Sequence, residues 1–178
     1  MTIRPATQGD VPRIAAVVHA MEELRSVAQQ SIETTTQTVS SNLERVSSSG
    51  CSAAYVAEES EGEIAGYGAV HWTPFLFLPG GEAYVTELFV RPSASGKGVG
   101  SGILETIIAE ARRRGCSRVT LLNGRDGESY RRSFYTKRGW VEREHMANFI
   151  LPITSGSSET VEESAPDSVP HIRRSMRK

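Results

Sequence analysis

The 178-residue sequence has two cysteines, Cys51 and Cys116, spaced too far apart for a Cys-x-x-Cys or zinc-ligand pattern. That scarcity excludes a disulfide framework, and the thiols imply either a reducing compartment or simple core packing, the packing reading being preferred. No stretch approaches the 18 apolar residues of a membrane span, and no basic-then-apolar leader follows Met1. The expectation is a cytoplasmic protein with no membrane partner. Charge of one sign is also missing: 20 Lys and Arg against 21 Asp and Glu give a net charge of -1. This offers no electrostatic case for a nucleic-acid partner. Arg112, Arg113, Arg114 and Arg118 more simply supply cations to the end of a helix. With four histidines and no His-Glu-x-x-His, a metal site has little support, His71 and His145 being isolated in sequence. The absence of Gly-x-Ser-x-Gly removes the usual context of a serine nucleophile.

The length suits one domain, but apolar residues are only 38% of the chain. The dilution lies at the end, where residues 154–178 hold five apolar members among 25. We expect a folded domain over 1–153 and a polar tail over 154–178. A strand begins at Ile3; Asp10 then Pro12 read as a helix start, with Ile14, Val17, Val18 and Met21 as its apolar stripe and Leu24 as an extension. Residues 31–50 read as a second, weaker helix. Ala53 to Glu58 and Ile64 to Trp72 form a hairpin, and Glu82 to Val90 is the next strand. Ile103, Leu104, Ile107, Ile108 and Ala111 mark the strongest helix, stopped by Gly115. Val119 to Leu122 is a strand, Glu128 to Arg138 a helix closed by Gly139, and Trp140 to Leu151 holds one or two final strands. The pattern is mixed α/β: a central, mostly antiparallel sheet with helices on both faces.

The most informative segment runs from Leu88, Phe89 and Val90 through Ser95, Gly96, Lys97, Gly98, Val99, Gly100 and Ser101, where a strand turns through spaced glycines into that helix. Glycines let backbone N–H groups converge on an anion, the helix start adds partial positive charge, and Lys97 adds a cation. Gly98 follows Lys97 where a P-loop needs Ser or Thr, and Ile103 stands where the dinucleotide fingerprint needs Gly or Ala. Val90-Arg91-Pro92 followed by Ser95-Gly96-Lys97-Gly98-Val99-Gly100 resembles the signature of the GNAT (GCN5-related) N-acetyltransferases, with Ser95 at the position of an Arg or Gln. Phe134-Tyr135-Thr136-Lys137-Arg138-Gly139-Trp140 is similar to a second family motif, as is the opening Ile3-Arg4-Pro5-Ala6-Thr7 with Asp10. Glu128 and Arg131 depart from the family's frequent Asn and small residue.

This resemblance implies a GNAT-like fold and acetyl-CoA as cosubstrate, its pyrophosphate on the amides of Gly96 to Ser101 and its pantetheine arm along Leu88 to Val90. It further implies Tyr135 near the thioester sulfur as general acid, and a backbone N–H near Leu88 or Phe89 as the oxyanion donor. Glu87 is the first candidate for the base that takes the ammonium proton, with Glu82 as the alternative; a solvated carboxylate on an exposed strand face is the plain reading of either. The acceptor is a small-molecule or protein primary amine, with Trp72, Phe75 and Glu82 as its contacts. Trp72, Phe75 and Phe77 in one loop suggest a homodimer contact or core burial ahead of a substrate wall. The rival class is a CoA-binding or interaction module of the same fold that has lost transfer chemistry.

Overall fold

The computed structural model describes residues 1–21, 24 and 29–153, so the expected tail from 154 onward lies outside the described residues. The described residues fall into two units, 1–140 and 141–153. In the first unit the order is β1 (Thr2–Pro5), α1 (Val11–His19), α2 (Ile32–Ser48), β2 (Ser52–Glu58), β3 (Ile64–Thr73), β4 (Glu82–Val90), α3 (Val99–Arg113), β5 (Arg118–Leu121) and the one-turn α4 (Glu128–Arg131). The sheet order follows the chain, β1-β2-β3-β4-β5. Neighbours are antiparallel except β4 and β5, which are parallel because α3 carries the chain back between them. The fold is the mixed α/β class expected, with helices on both faces.

Each face has its own core. Ile14, Val17 and Val18 of α1, with Met21 just past its end, pack with Leu43 of α2 against Val56, Ile64 and Tyr67. On the opposite face Val99, Ile103, Leu104 and Ile107 of α3 cover Ala57, Val70, Ala83 and Val85. Ile103, Leu104 and Ile107 are essentially solvent-free, and burying each contributes roughly 2 kcal/mol. Gly68 sets how closely α3 approaches β3: a Cβ there would stand 2.6 Å from Ile103 Cγ2. The weaker helix α2 has Ser31 as its N-cap, the side chain accepting from Thr34 N at 3.2 Å. Its threonines turn inward on the backbone, with Thr36 donating to the Ile32 carbonyl at 2.6 Å.

Asp10 is the N-cap residue of α1, with Pro12 in its first turn as expected, but its side chain makes no capping hydrogen bond to the helix. Its side chain turns back, accepting from Thr7 N at 2.8 Å and from the Arg4 guanidinium through both oxygens at 2.8 Å. Arg13 adds a third cationic contact at 3.0 Å. One buried carboxylate thus ties β1 to the start of α1. The thiols also divide: Cys116 packs partly against the α3 core, whereas Cys51 is exposed and takes no part in it.

In the second unit, residues 141–153 contain neither strand nor helix. The one or two strands expected between Trp140 and Leu151 therefore do not form. A strand exists only through its ladder, and here Val141, Phe149, Ile150 and Leu151 are exposed.

Candidate active site

The site begins with an irregularity in β4. Its register with β3 pairs Ala69 with Glu87 and Val70 with Val85, so Thr86 is an extra residue, a β-bulge. Side chains alternate along a strand, and the extra residue reverses the phase. Before it Ala83 and Val85 face α3; after it Leu88 and Val90 do, while Glu87 and Phe89 emerge on the α1 face. Without the bulge, Glu87 would point into the α3 core. The parallel ladder to β5 also ends here, at Val85 with Leu121, although β4 continues to Val90. Among the described residues, no strand pairs with the β5-side edge of β4 from Thr86 to Val90.

That unpaired edge lines a cleft of about 1310 Å³. Ser95, Gly96, Gly98, Val99, Gly100 and Ser101 line its end beyond β4. Gly98 is the N-cap of α3 with φ 85°, a left-handed conformation that disfavours any side chain. The amides of Val99, Gly100 and Ser101 sit in the first helical turn, where none has an intrahelical carbonyl. Lys97 is exposed and is not among the lining residues. The local cations come instead from the segment after β5. Arg132 Nη1 donates to Ser95 Oγ at 3.3 Å, and Arg138 Nη2 to Ser101 Oγ at 2.6 Å. Arg138 also lies over the Phe134 ring, 4.0 Å from its centroid.

The expected helix from Glu128 to Arg138 is broken into α4 and a 3-10 turn over Thr136–Arg138. The break is at Ser133, which takes φ 55°, while Phe134 N donates to the Ser129 carbonyl at 2.9 Å. This is the hydrogen bond of a Schellman helix end with serine in the left-handed position. The reversal turns Phe134 and Tyr135 onto the α3 core, where the Tyr135 ring meets Phe134 edge-on at 4.9 Å and Trp140 at 5.7 Å. Tyr135 still lines the cleft. Burial pushes its phenol up to about 12, so it carries its proton throughout the neutral range.

Glu87 lines the cleft together with Tyr135. Its carboxylate accepts a 2.6 Å hydrogen bond from the buried Tyr67, whose own proton is held more tightly than usual by burial and by the Glu87 charge. Ala20 and Met21, at the end of α1, complete this wall. The structure does not bring Trp72, Phe75 and Glu82 here. They line a separate depression of about 470 Å³ at the other end of β4, roughly 26 Å of strand from Val90. Trp72 is core, with Arg114 over its ring at 4.6 Å; Glu82 is buried and paired with Arg118; Phe75 lies under Arg118 while Phe77 is exposed. Sequence reading misses Arg132, Arg138 and Tyr67. The cations of 131–138 are visible as a run, but only the turn at Ser133 shows which of them face the glycines.

Among the described residues no three His, Cys, Asp or Glu side chains form a cluster suited to a metal, and no helix is long and apolar enough to cross a membrane.

The chain is similar in fold to several solved structures. A transcriptional regulator from Bacillus halodurans superposes with a TM-score of 0.72 at 24% identity, over 84% of this chain and 98% of that one. An acetyltransferase of Trypanosoma brucei gives 0.63 at 20% identity, over 84% and 99%. An integron cassette protein from V. cholerae gives 0.71 at 18%, over 85% and 91%. No curated protein matches in sequence. The sequence model of the Acetyltransferase (GNAT) family matches residues 18–140, a span that takes in the β4 bulge, the glycine turn and the Tyr135 segment. The bulged strand, the glycine-led helix and the tyrosine beyond β5 all fall in the matched region, and the chain belongs to the GNAT family of acetyltransferases.

Proposed function

We propose that the protein transfers the acetyl group of acetyl-CoA directly to a primary amine. The observation that carries this reading is the unpaired edge of β4 from Thr86 to Val90, which runs between the glycine turn and Tyr135 in one cleft. An edge with free backbone N–H and C=O groups suits an amide-containing arm, and convergent amides at a helix start suit phosphates. These donors fit acetyl-CoA, which would supply the activated acetyl group as a thioester.

The chain's own residues then have separable tasks. Gly96, Gly98, Val99, Gly100 and Ser101 hold the phosphorylated end through backbone amides. Leu88, Phe89 and Val90 hold the arm in line. Glu87, brought to the α1 face by the bulge and fixed by Tyr67, accepts the proton of the incoming ammonium. Tyr135, neutral because it is buried, gives its proton to the departing thiolate. The N–C bond forms as the S–C bond breaks, and the net proton passes from amine to thiol. Acceptor amines enter beside Met21 and Glu87, at the opposite end of β4 from Trp72 and Glu82.

Thiol release from acetyl-CoA, measured across a panel of primary amines with the wild-type protein and Tyr135→Phe, tests this reading. The expected result is amine-dependent release by the wild type and a fall of about a hundredfold or more in kcat for the variant, with acetyl-CoA affinity retained. Equal turnover by the two proteins would remove Tyr135 as the acid.

A further inference from the structure

The glycine turn has no cation of its own in the cleft, since Lys97 does not line it. Two guanidiniums that line the same cleft reach it from the segment after β5. Arg132 contacts Ser95 and Arg138 contacts Ser101, each pair 37 positions apart in sequence, so the two arginines bracket the turn from end to end. They are held differently. Arg138 is fixed by its stack on Phe134 and by donation to the Phe134 carbonyl at 2.7 Å. Arg132 is half exposed, and its carboxylate contact is Glu128, at 3.4 Å on the adjacent helical turn. A guanidinium has five N–H donors, and these two contacts leave most of them available to an anion in the cleft.

We propose that Arg132 is the specificity-determining cation for the phosphorylated end of the acyl donor, reaching from the Tyr135 segment to the place that Ser95 leaves without charge. This rests on the acetyl-CoA reading above and deepens it. Ser95 stands where the family signature carries Arg or Gln, and the 3.3 Å contact puts the Arg132 guanidinium beside that position. The consequence reaches beyond affinity. Arg132 precedes Tyr135 by three residues, so a diphosphate gripping Arg132 also steadies the segment that presents the phenol. A donor with the acetyl thioester but no phosphates forfeits that grip.

The test compares binding of acetyl-CoA and of S-acetylpantetheine, which lacks every phosphate, to four full-length proteins: wild type, Arg132→Ala, Arg132→Lys, and Arg132→Ala combined with Ser95→Arg. Melting curves accompany each protein. The expected result is a loss of about tenfold or more in acetyl-CoA affinity for Arg132→Ala, the scale of one charge-assisted contact. Arg132→Lys falls between it and wild type, S-acetylpantetheine binding is the same in all four, and Ser95→Arg restores most of the lost acetyl-CoA affinity. The proposal is overturned if Arg132→Ala binds acetyl-CoA like wild type, if both donors weaken equally, or if Ser95→Arg restores nothing. A wild type that binds no acetyl-CoA overturns the cofactor reading itself, and this one with it.

Discussion

Replacing Asp10 by Asn keeps the volume and removes the charge at a buried junction where the carboxylate accepts five hydrogen bonds. The carboxylate is 1% exposed and accepts from Arg4 Nη1 and Nη2 at 2.8 Å, Arg13 Nη2 at 3.0 Å, Thr7 N at 2.8 Å and Thr7 Oγ1 at 2.8 Å. The amide retains one acceptor oxygen and turns a donor NH₂ toward donor guanidiniums. Breaking a buried pair by removing one partner costs about 3–5 kcal/mol. The lower end applies, because the Arg4 and Arg13 side chains are 28% and 36% exposed and regain water. A loss of about 3 kcal/mol, at roughly 3 °C per kcal/mol for a domain of this size, lowers Tm by roughly 10 °C. Urea titrations followed by far-UV circular dichroism give the loss directly. The pH dependence supplies a second check. Hydrogen bonding to Arg4 holds the Asp10 carboxyl far below the usual carboxylate range in the folded state. Its stabilisation is therefore complete above the ordinary value of about 4, and drains away as pH falls below that toward the lower folded value. The gap between wild type and variant should be constant from pH 7 to 5 and close progressively in stronger acid. A difference under about 1 kcal/mol at pH 7, or one that does not change on acidification, would refute the assignment of Asp10 as a buried ionic tie.

Other outcomes follow from single positions. Gly68→Ala places a Cβ 2.6 Å from Ile103 Cγ2 and should cost about 1–3 kcal/mol in urea titrations; Ile103→Leu, which removes that branch methyl, should recover part of it in a double-mutant cycle. Ser133→Gly should be neutral to stabilising by about 1 kcal/mol, because relief of the left-handed strain at φ 55° exceeds or offsets the added chain entropy; a clear loss of Tm would contradict that strain. Tyr135 keeps its proton to about pH 12, so thiol-release rates should show no alkaline decline up to pH 10 that is absent from Tyr135→Phe. Glu128→Gln frees Arg132 from its 3.4 Å carboxylate partner and should tighten acetyl-CoA binding severalfold in low salt; unchanged or weaker binding would contradict the competition.

The sequence made some of this legible through period and punctuation. The apolar stripe of α3, the turn residues between β2 and β3 and the glycines from 96 to 100 each speak through local physics, and they marked the long helix, the hairpin and the turn suited to an anion. Features that depend on pairing were hidden. The bulge at Thr86 is invisible in the residues of β4, yet it decides that Glu87 meets the cleft and Tyr67. Asp10 takes the helix-cap position its sequence context suggests, but only the approach of Arg4 from β1 shows that its side chain turns away from the helix amides. The segment from 128 to 138 lacks a strong apolar stripe, so nothing in its pattern opposed a continuous helix, and the left-handed serine at 133 carries no sequence mark. Trp72 and Phe75 suggest acceptor contacts in sequence because exposed aromatics must cover something, and Glu82 because it begins the strand that carries Glu87. Nine residues of extended chain separate its two ends, and distance along a strand was the missing quantity.

The proposed role of the cleft between the β4 edge and Tyr135 is to bind acetyl-CoA. Calorimetric titration of the full-length protein with acetyl-CoA tests it without an acceptor. Saturable one-to-one binding near the micromolar range, about -8 kcal/mol, is the expected result. Absence of heat up to about 1 mM ligand at two temperatures would contradict it.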